Sequence, residues 1–67
     1  MKSSIRVCNM NDLEDVNNVR RAISGNEGVV ACEISLEKGE ANVVYDDFFV
    51  NIDKIIESIE DLGYTVL

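Results

Sequence analysis

Two aspartates three residues apart, Asp12 and Asp15, stand where a first strand gives way to a helix, and Cys8 lies just ahead of them. Carboxylates are hard donors suited to Mg, Ca or Mn, ions that want six or more oxygens. Two aspartates offer at most four, so water would complete the shell and a divalent ion would be held weakly. The same pair also reads as first-turn acids in the field of a helix dipole, each contributing about 0.3–1 kcal/mol. Cys8 alternates toward the uncovered face of its strand, as a surface thiol or a lone ligand beside the two acids. Cys32 alternates toward the core as a small hydrophobe. Facing opposite ways, the two are not expected to meet in an intramolecular disulfide, and two cysteines are too few for a secreted disulfide scaffold.

Phosphate chemistry would need an arginine and an asparagine converging at a helix N-terminus. Arg6 and Asn11 are the only nearby pair, set among acids that repel phosphate. The 67 residues make one domain, 1–67, that buries only roughly 60% of its unfolded surface. A pocket of about 300 Å³ or more would consume core that such a chain lacks, so no enzymatic activity is expected. Thirteen acids against six bases give a net charge of −7. Such a surface repels nucleic acid and disfavours anionic membranes, and its field favours a basic protein surface or a cation. The acidity also serves solubility by itself. No apolar run reaches the ~18 residues of a membrane span and no signal peptide is evident, so a cytoplasmic protein is expected.

The elements that must position these residues follow from periodicity. Ile5 and Val7 alternate with Ser4, Arg6 and Cys8 in a first strand that Asn9 breaks. Asn11 with Glu14 resembles a capping box, and Leu13, Val16, Val19 and Ile23 then recur at helical spacing until Gly25. From Val29 the period becomes two, with Val30, Cys32, Ile34 and Leu36 on the core side. Lys38-Gly39 marks a hairpin turn in which Gly supplies a positive φ, and Ala41, Val43 and Tyr45 continue as a third strand. Asn51 caps a second helix whose stripe is Ile52, Ile55, Ile56 and Ile59, Gly63 ends it, and Tyr64 to Leu67 form a last strand. The order β-α-β-β-α-β predicts an α+β, ferredoxin-like sandwich: a four-stranded antiparallel sheet with two helices on one face.

In that arrangement the loop before the first helix, the hairpin and the loop after the second helix share one end. Asp12, Glu14, Asp15, Glu37, Glu40, Glu60 and Asp61 gather there, either as a solvated end or as a surface for a basic partner. Phe48 and Phe49 lie in the connector at the opposite end, as a plug for the core or as a separate contact site.

The stretch Gly28-Val29, Leu36-Glu37-Lys38-Gly39-Glu40, Val43, Tyr45-Asp46, Val50 and Ile55 to Tyr64 resembles the heavy-metal-associated domains of small copper chaperones and metal-pumping ATPases. That family carries Gly-Met-x-Cys-x-x-Cys at the end of its first strand, and the matching stretch here is Asn9-Met10-Asn11-Asp12-Leu13-Glu14-Asp15. The resemblance implies that Met10 packs under the loop without being a ligand. It aligns Asp12 and Asp15 with the two metal-binding cysteines, and Tyr64 with an aromatic residue beside the metal loop. Thiolates hold Cu(I) and Zn(II) because soft sulfur matches those ions, and carboxylates do not replace it. The expectation is an interaction or regulatory domain of the metal-trafficking family without its thiolate pair. The partner would carry a basic surface, as a metal transporter or another metal-handling domain. The alternative is a metal-binding protein with Asp12, Asp15 and Cys8 as atypical ligands. Small-molecule regulatory domains share the topology, and fold alone does not choose.

Overall fold

A computed structural model describes all 67 residues. Strands β1 (Lys2–Arg6), β2 (Val29–Ser35) and β3 (Glu40–Tyr45) alternate with helices α1 (Leu13–Ser24) and α2 (Ile52–Glu60). The sheet is antiparallel in the order β1-β3-β2. β3 is central and buries every second residue: Ala41, Val43 and Tyr45 are buried, with Asn42 and Val44 on the other side. Ile5 and Val7 meet them from the first-strand side, Val19 and Ile23 from α1, and Ile55 and Ile59 from α2. Burying an Ile or Val stabilises by about 1.5–3 kcal/mol, so this one cluster supplies most of what holds so short a chain together.

The expected fourth strand is reduced to a single bridge between Val7 and Val66. The Cys8 amide donates to the Thr65 carbonyl (2.8 Å) and the Leu67 amide to Arg6 (3.0 Å), one bond on each side of that pair. Two backbone turns limit the ladder. Asn9 at φ 73° swings the chain out of the extended conformation just after Cys8, and Gly63 at φ 97° does the same just before Tyr64.

Three further expectations are corrected. The α1 cap is Asp12, not Asn11: Asp12 has extended backbone (φ −150°, ψ −178°) and its side chain accepts from the Asp15 amide. Leu13 is exposed, so the buried stripe begins at Val16. Val30 is exposed because β2 bulges there, with Val29 opposite Tyr45 and Ala31 opposite Val44; the extra residue turns Val30 outward and Val29 packs against the core. A bulge of this kind shifts every side chain before it to the other face.

Asn26 joins the helices. Its Nδ2 donates to the Ala22 and Ile23 carbonyls at 3.1 and 3.2 Å, satisfying the end of α1, and to Ser58 Oγ of α2 at 3.1 Å. At the start of α2, Asn51 Oδ1 accepts from the Lys54 amide at 2.8 Å, the cap expected from the sequence.

Candidate functional site

The loop from Asn9 to Asp12 joins β1 to α1 and is built from capping chemistry. Asp12 Oδ1 accepts from the Asp15 amide (3.0 Å), and Asp15 Oδ2 accepts from the Asn11 amide (2.8 Å). The two aspartates thus satisfy amides at the helix start reciprocally, as a capping box does. The other Asp15 oxygen accepts from the Tyr64 hydroxyl at 2.6 Å, and Asn18 Nδ2 donates to that hydroxyl at 3.4 Å. Both Asp15 oxygens are therefore engaged within the protein.

These bonds favour the ionised carboxylate. The Tyr64 hydroxyl first, then the Asn11 amide, hold the Asp15 carboxyl below the ordinary value of 3.8, against a smaller opposing effect of desolvation. The same bond raises the Tyr64 phenol above its ordinary 10.0, with the Asn18 amide opposing.

Asn9 adjoins this network in the left-handed region, at φ 73°. Asn tolerates that conformation better than most residues, though glycine adopts it with no steric cost. The sequence marked Asn9 only as a strand breaker. Met10 is half-buried and packs against the core cluster, as the resemblance implied.

Cys8 is a free, half-buried thiol, and Cys32 is free, half-buried and packed against the core. No three Cys, Asp or Glu side chains stand close enough together to hold a metal ion between them. Of the four carboxylate oxygens of Asp12 and Asp15, three already accept from the Asp15 amide, the Asn11 amide and the Tyr64 hydroxyl. The carboxylate donor set also does not fit a soft monovalent ion.

The loop's end of the molecule collects the expected acids. The Val7 amide donates to the Gly39 carbonyl (2.8 Å), tying the hairpin to the end of the first strand. The Tyr64–Asp15 bond ties in the segment after α2. Asp12, Glu14, Glu37, Glu60 and Asp61 are exposed there. Glu40 is different: it is half-buried and its carboxylate lies 3.7 Å from Arg6, a second base at this end besides Lys38. At the opposite end Phe48 and Phe49 are both exposed, so neither plugs the core. Val50, 8% exposed, takes that place.

Comparison with known proteins decides the family. The heavy-metal-associated domain profile matches residues 4–65. The chain belongs to the heavy-metal-associated domain family. A copper chaperone CopZ from Staphylococcus aureus (strain MRSA252) is 39% identical over 49 residues, which make up 73% of this chain and 72% of the chaperone. Among solved structures, a CopZ metallochaperone superposes with a TM-score of 0.97 at 30% identity, covering 100% of both chains. A copper-binding domain from HMA7, a P-type ATPase, reaches 0.94 at 30% identity, covering 98% of this chain and 89% of that one. This heavy-metal-associated domain thus has the chaperones' fold, with a chain that contains no Cys-x-x-Cys.

Proposed function

We propose that this heavy-metal-associated domain is a non-enzymatic member of the metal-trafficking family that no longer captures soft metals by thiolates and acts by contact with another protein. The reading rests on one observation: Asp12 and Asp15 spend their carboxylates on capping α1 and on Tyr64, at the loop where the family resemblance puts metal-binding cysteines. The exposed acids Glu14, Glu37, Glu60 and Asp61, with Glu40 beside Arg6, form the surface that meets the partner. Their charge suits a basic face on a metal transporter or another metal-handling domain in the cytoplasm. No helix of the chain is long and apolar enough to cross a membrane.

Competition against a chromophoric Cu(I) chelator tests the reading. Without a thiolate pair, affinity should be at least ~1,000-fold below that of a Cys-x-x-Cys domain, because sulfur ligands set it. Tight one-to-one binding would overturn the proposal and make Cys8 a ligand. The same titration with Mn(II) and Ca(II) tests for a weakly held divalent ion on Asp12 and Asp15.

A further inference from the structure

The connector between β3 and α2 holds two aromatic rings in water. Phe48 is 87% and Phe49 59% exposed, their rings edge to face with centroids 5.3 Å apart. Together they offer on the order of 300 Å² of apolar surface, the scale of the largest such patch on many monomers. Val30, 74% exposed at the β2 bulge, stands at the same end of the sheet, since its neighbour Val29 pairs with Tyr45.

The turn that carries the rings is held by hydrogen bonds. Asp46 organises the turn: its Oδ1 accepts from the Phe48 amide (2.9 Å), and its carbonyl from the Phe49 and Val50 amides (3.0 and 3.2 Å). Its own amide donates to the Gly28 carbonyl at 2.8 Å. Gly28, at φ 99°, permits that approach, because a Cβ there would lie 2.8 Å from the Phe49 Cβ. With Val50 buried beneath, the pair is displayed on a hydrogen-bonded turn, so binding need not order the backbone that carries it.

Charge selects the occupant. Exposed Glu27, Asp46, Asp47 and Asp53 stand at this end, against Lys54 in the first turn of α2, Lys2 on β1 and the N-terminal ammonium, which donates to the Tyr45 carbonyl at 2.9 Å. A second copy of this chain would bring −7 against −7, and an anionic bilayer is repelled likewise. We infer that Phe48 and Phe49 form a docking surface for a protein segment that carries apolar side chains flanked by Lys or Arg. Such a segment would set its apolar residues against the rings and its cations on the acidic rim, where Arg also stacks on aromatic faces. The surface lies at the end opposite Asp12 and does not depend on the function proposed above.

The 67-residue protein, isotope-labelled, would be titrated with two synthetic helical peptides of identical Leu-rich core, one flanked by Lys and one by Glu. The Lys-flanked peptide should bind saturably, with amide shifts centred on Gly28 and Asp46 to Val50. The Glu-flanked one should bind at least ~10-fold more weakly. Phe48→Ser with Phe49→Ser should abolish the shifts; if that pair of changes unfolds the chain, Phe48→Ala alone should weaken binding measurably. No shift with the Lys-flanked peptide at about 1 mM, a range that contacts this small still reach, overturns the inference. So do equal binding of both peptides, shifts centred elsewhere, or binding that survives loss of the rings. Ring-dependent self-association in sedimentation, or ring-dependent retention on phosphatidylcholine–phosphatidylglycerol vesicles, would name a different occupant and also overturn it.

Discussion

The Tyr64 hydroxyl donates to Asp15 Oδ1 at 2.6 Å, across 49 residues of sequence. The bond anchors the segment after α2 to the first turn of α1, so the loop that carries Asp12 is braced from a distant part of the chain. It also engages one of the two Asp15 carboxylate oxygens. One contact therefore braces the loop and favours the ionised form of Asp15.

Tyr64→Phe should release Asp15. Its folded pKa lies below the ordinary 3.8, so its stabilisation is present above the unfolded value and lost as pH falls through the folded one. Carboxyl-detected NMR should show the Asp15 midpoint below 3.8 in the native protein and higher in the variant. The stability gap between the two proteins should close as pH falls through the native midpoint. Conversely, Asp15→Asn should lower the Tyr64 midpoint, which the Tyr64 ring resonances read by NMR apart from Tyr45. Unmoved midpoints would mean that the bond is not populated in solution.

Removing the cap should be felt in stability. Asp12→Ala should cost about 1 kcal/mol in denaturant unfolding, the usual loss for an N-cap side chain, while Asp12→Asn should lose little because Asn caps comparably. If both cost the same, the negative charge matters at this position and not the hydrogen bond to the Asp15 amide.

The helices, the hairpin and the core were legible because their apolar residues repeat at 3.6 or 2.0, a signal that survives without knowledge of neighbours. Ala41, Val43, Tyr45, Ile55 and Ile59 are where that reading placed them. Val30 was misplaced because a bulge inserts one residue without any mark in the sequence. The fourth strand was over-read: Val66 pairs, but the turns at Asn9 and Gly63 leave room for one bridge. The cap slipped by one because Asn11, Asp12, Glu14 and Asp15 are all competent cap residues, and only backbone geometry chooses among them. The resemblance put Tyr64 beside the Asp12–Asp15 loop but not its bond to Asp15, and the Asn26–Ser58 pairing was invisible: each joins residues more than thirty apart through side chains with many possible partners.

Restoring thiolates should restore soft-metal chemistry. Asp12→Cys with Asp15→Cys removes the cap and the acceptor for Tyr64, so the metal-free variant should lose about 1 kcal/mol or more. Cu(I) should then stabilise it by mass action, by about 2.7 kcal/mol when free metal exceeds Kd a hundredfold. Titration and thermal unfolding together read both effects. A folded double variant that binds neither Cu(I) nor Zn(II) would show that this is not the family's metal loop.

The acidic end should announce itself through salt. Exposed charges steer association over roughly a Debye length, about 10 Å at 0.1 M and 3 Å at 1 M. Glu14, Glu37 and Glu60 come from the first turn of α1, the hairpin and the last turn of α2, and only the fold brings them to one end. Reversing all three to Lys should therefore remove partners that the native protein retains at low salt, and high salt should remove the same ones. Stability should change by no more than about 1 kcal/mol per site, since exposed charges contribute little to folding. If these acids serve only solubility, the three reversals would relieve mutual repulsion and slightly stabilise the domain. Affinity capture with native and reversed proteins, at low salt and again at high salt, separates the two cases. A partner set that is the same under every condition would leave this end as solvated surface and remove the acidic face from the proposed function.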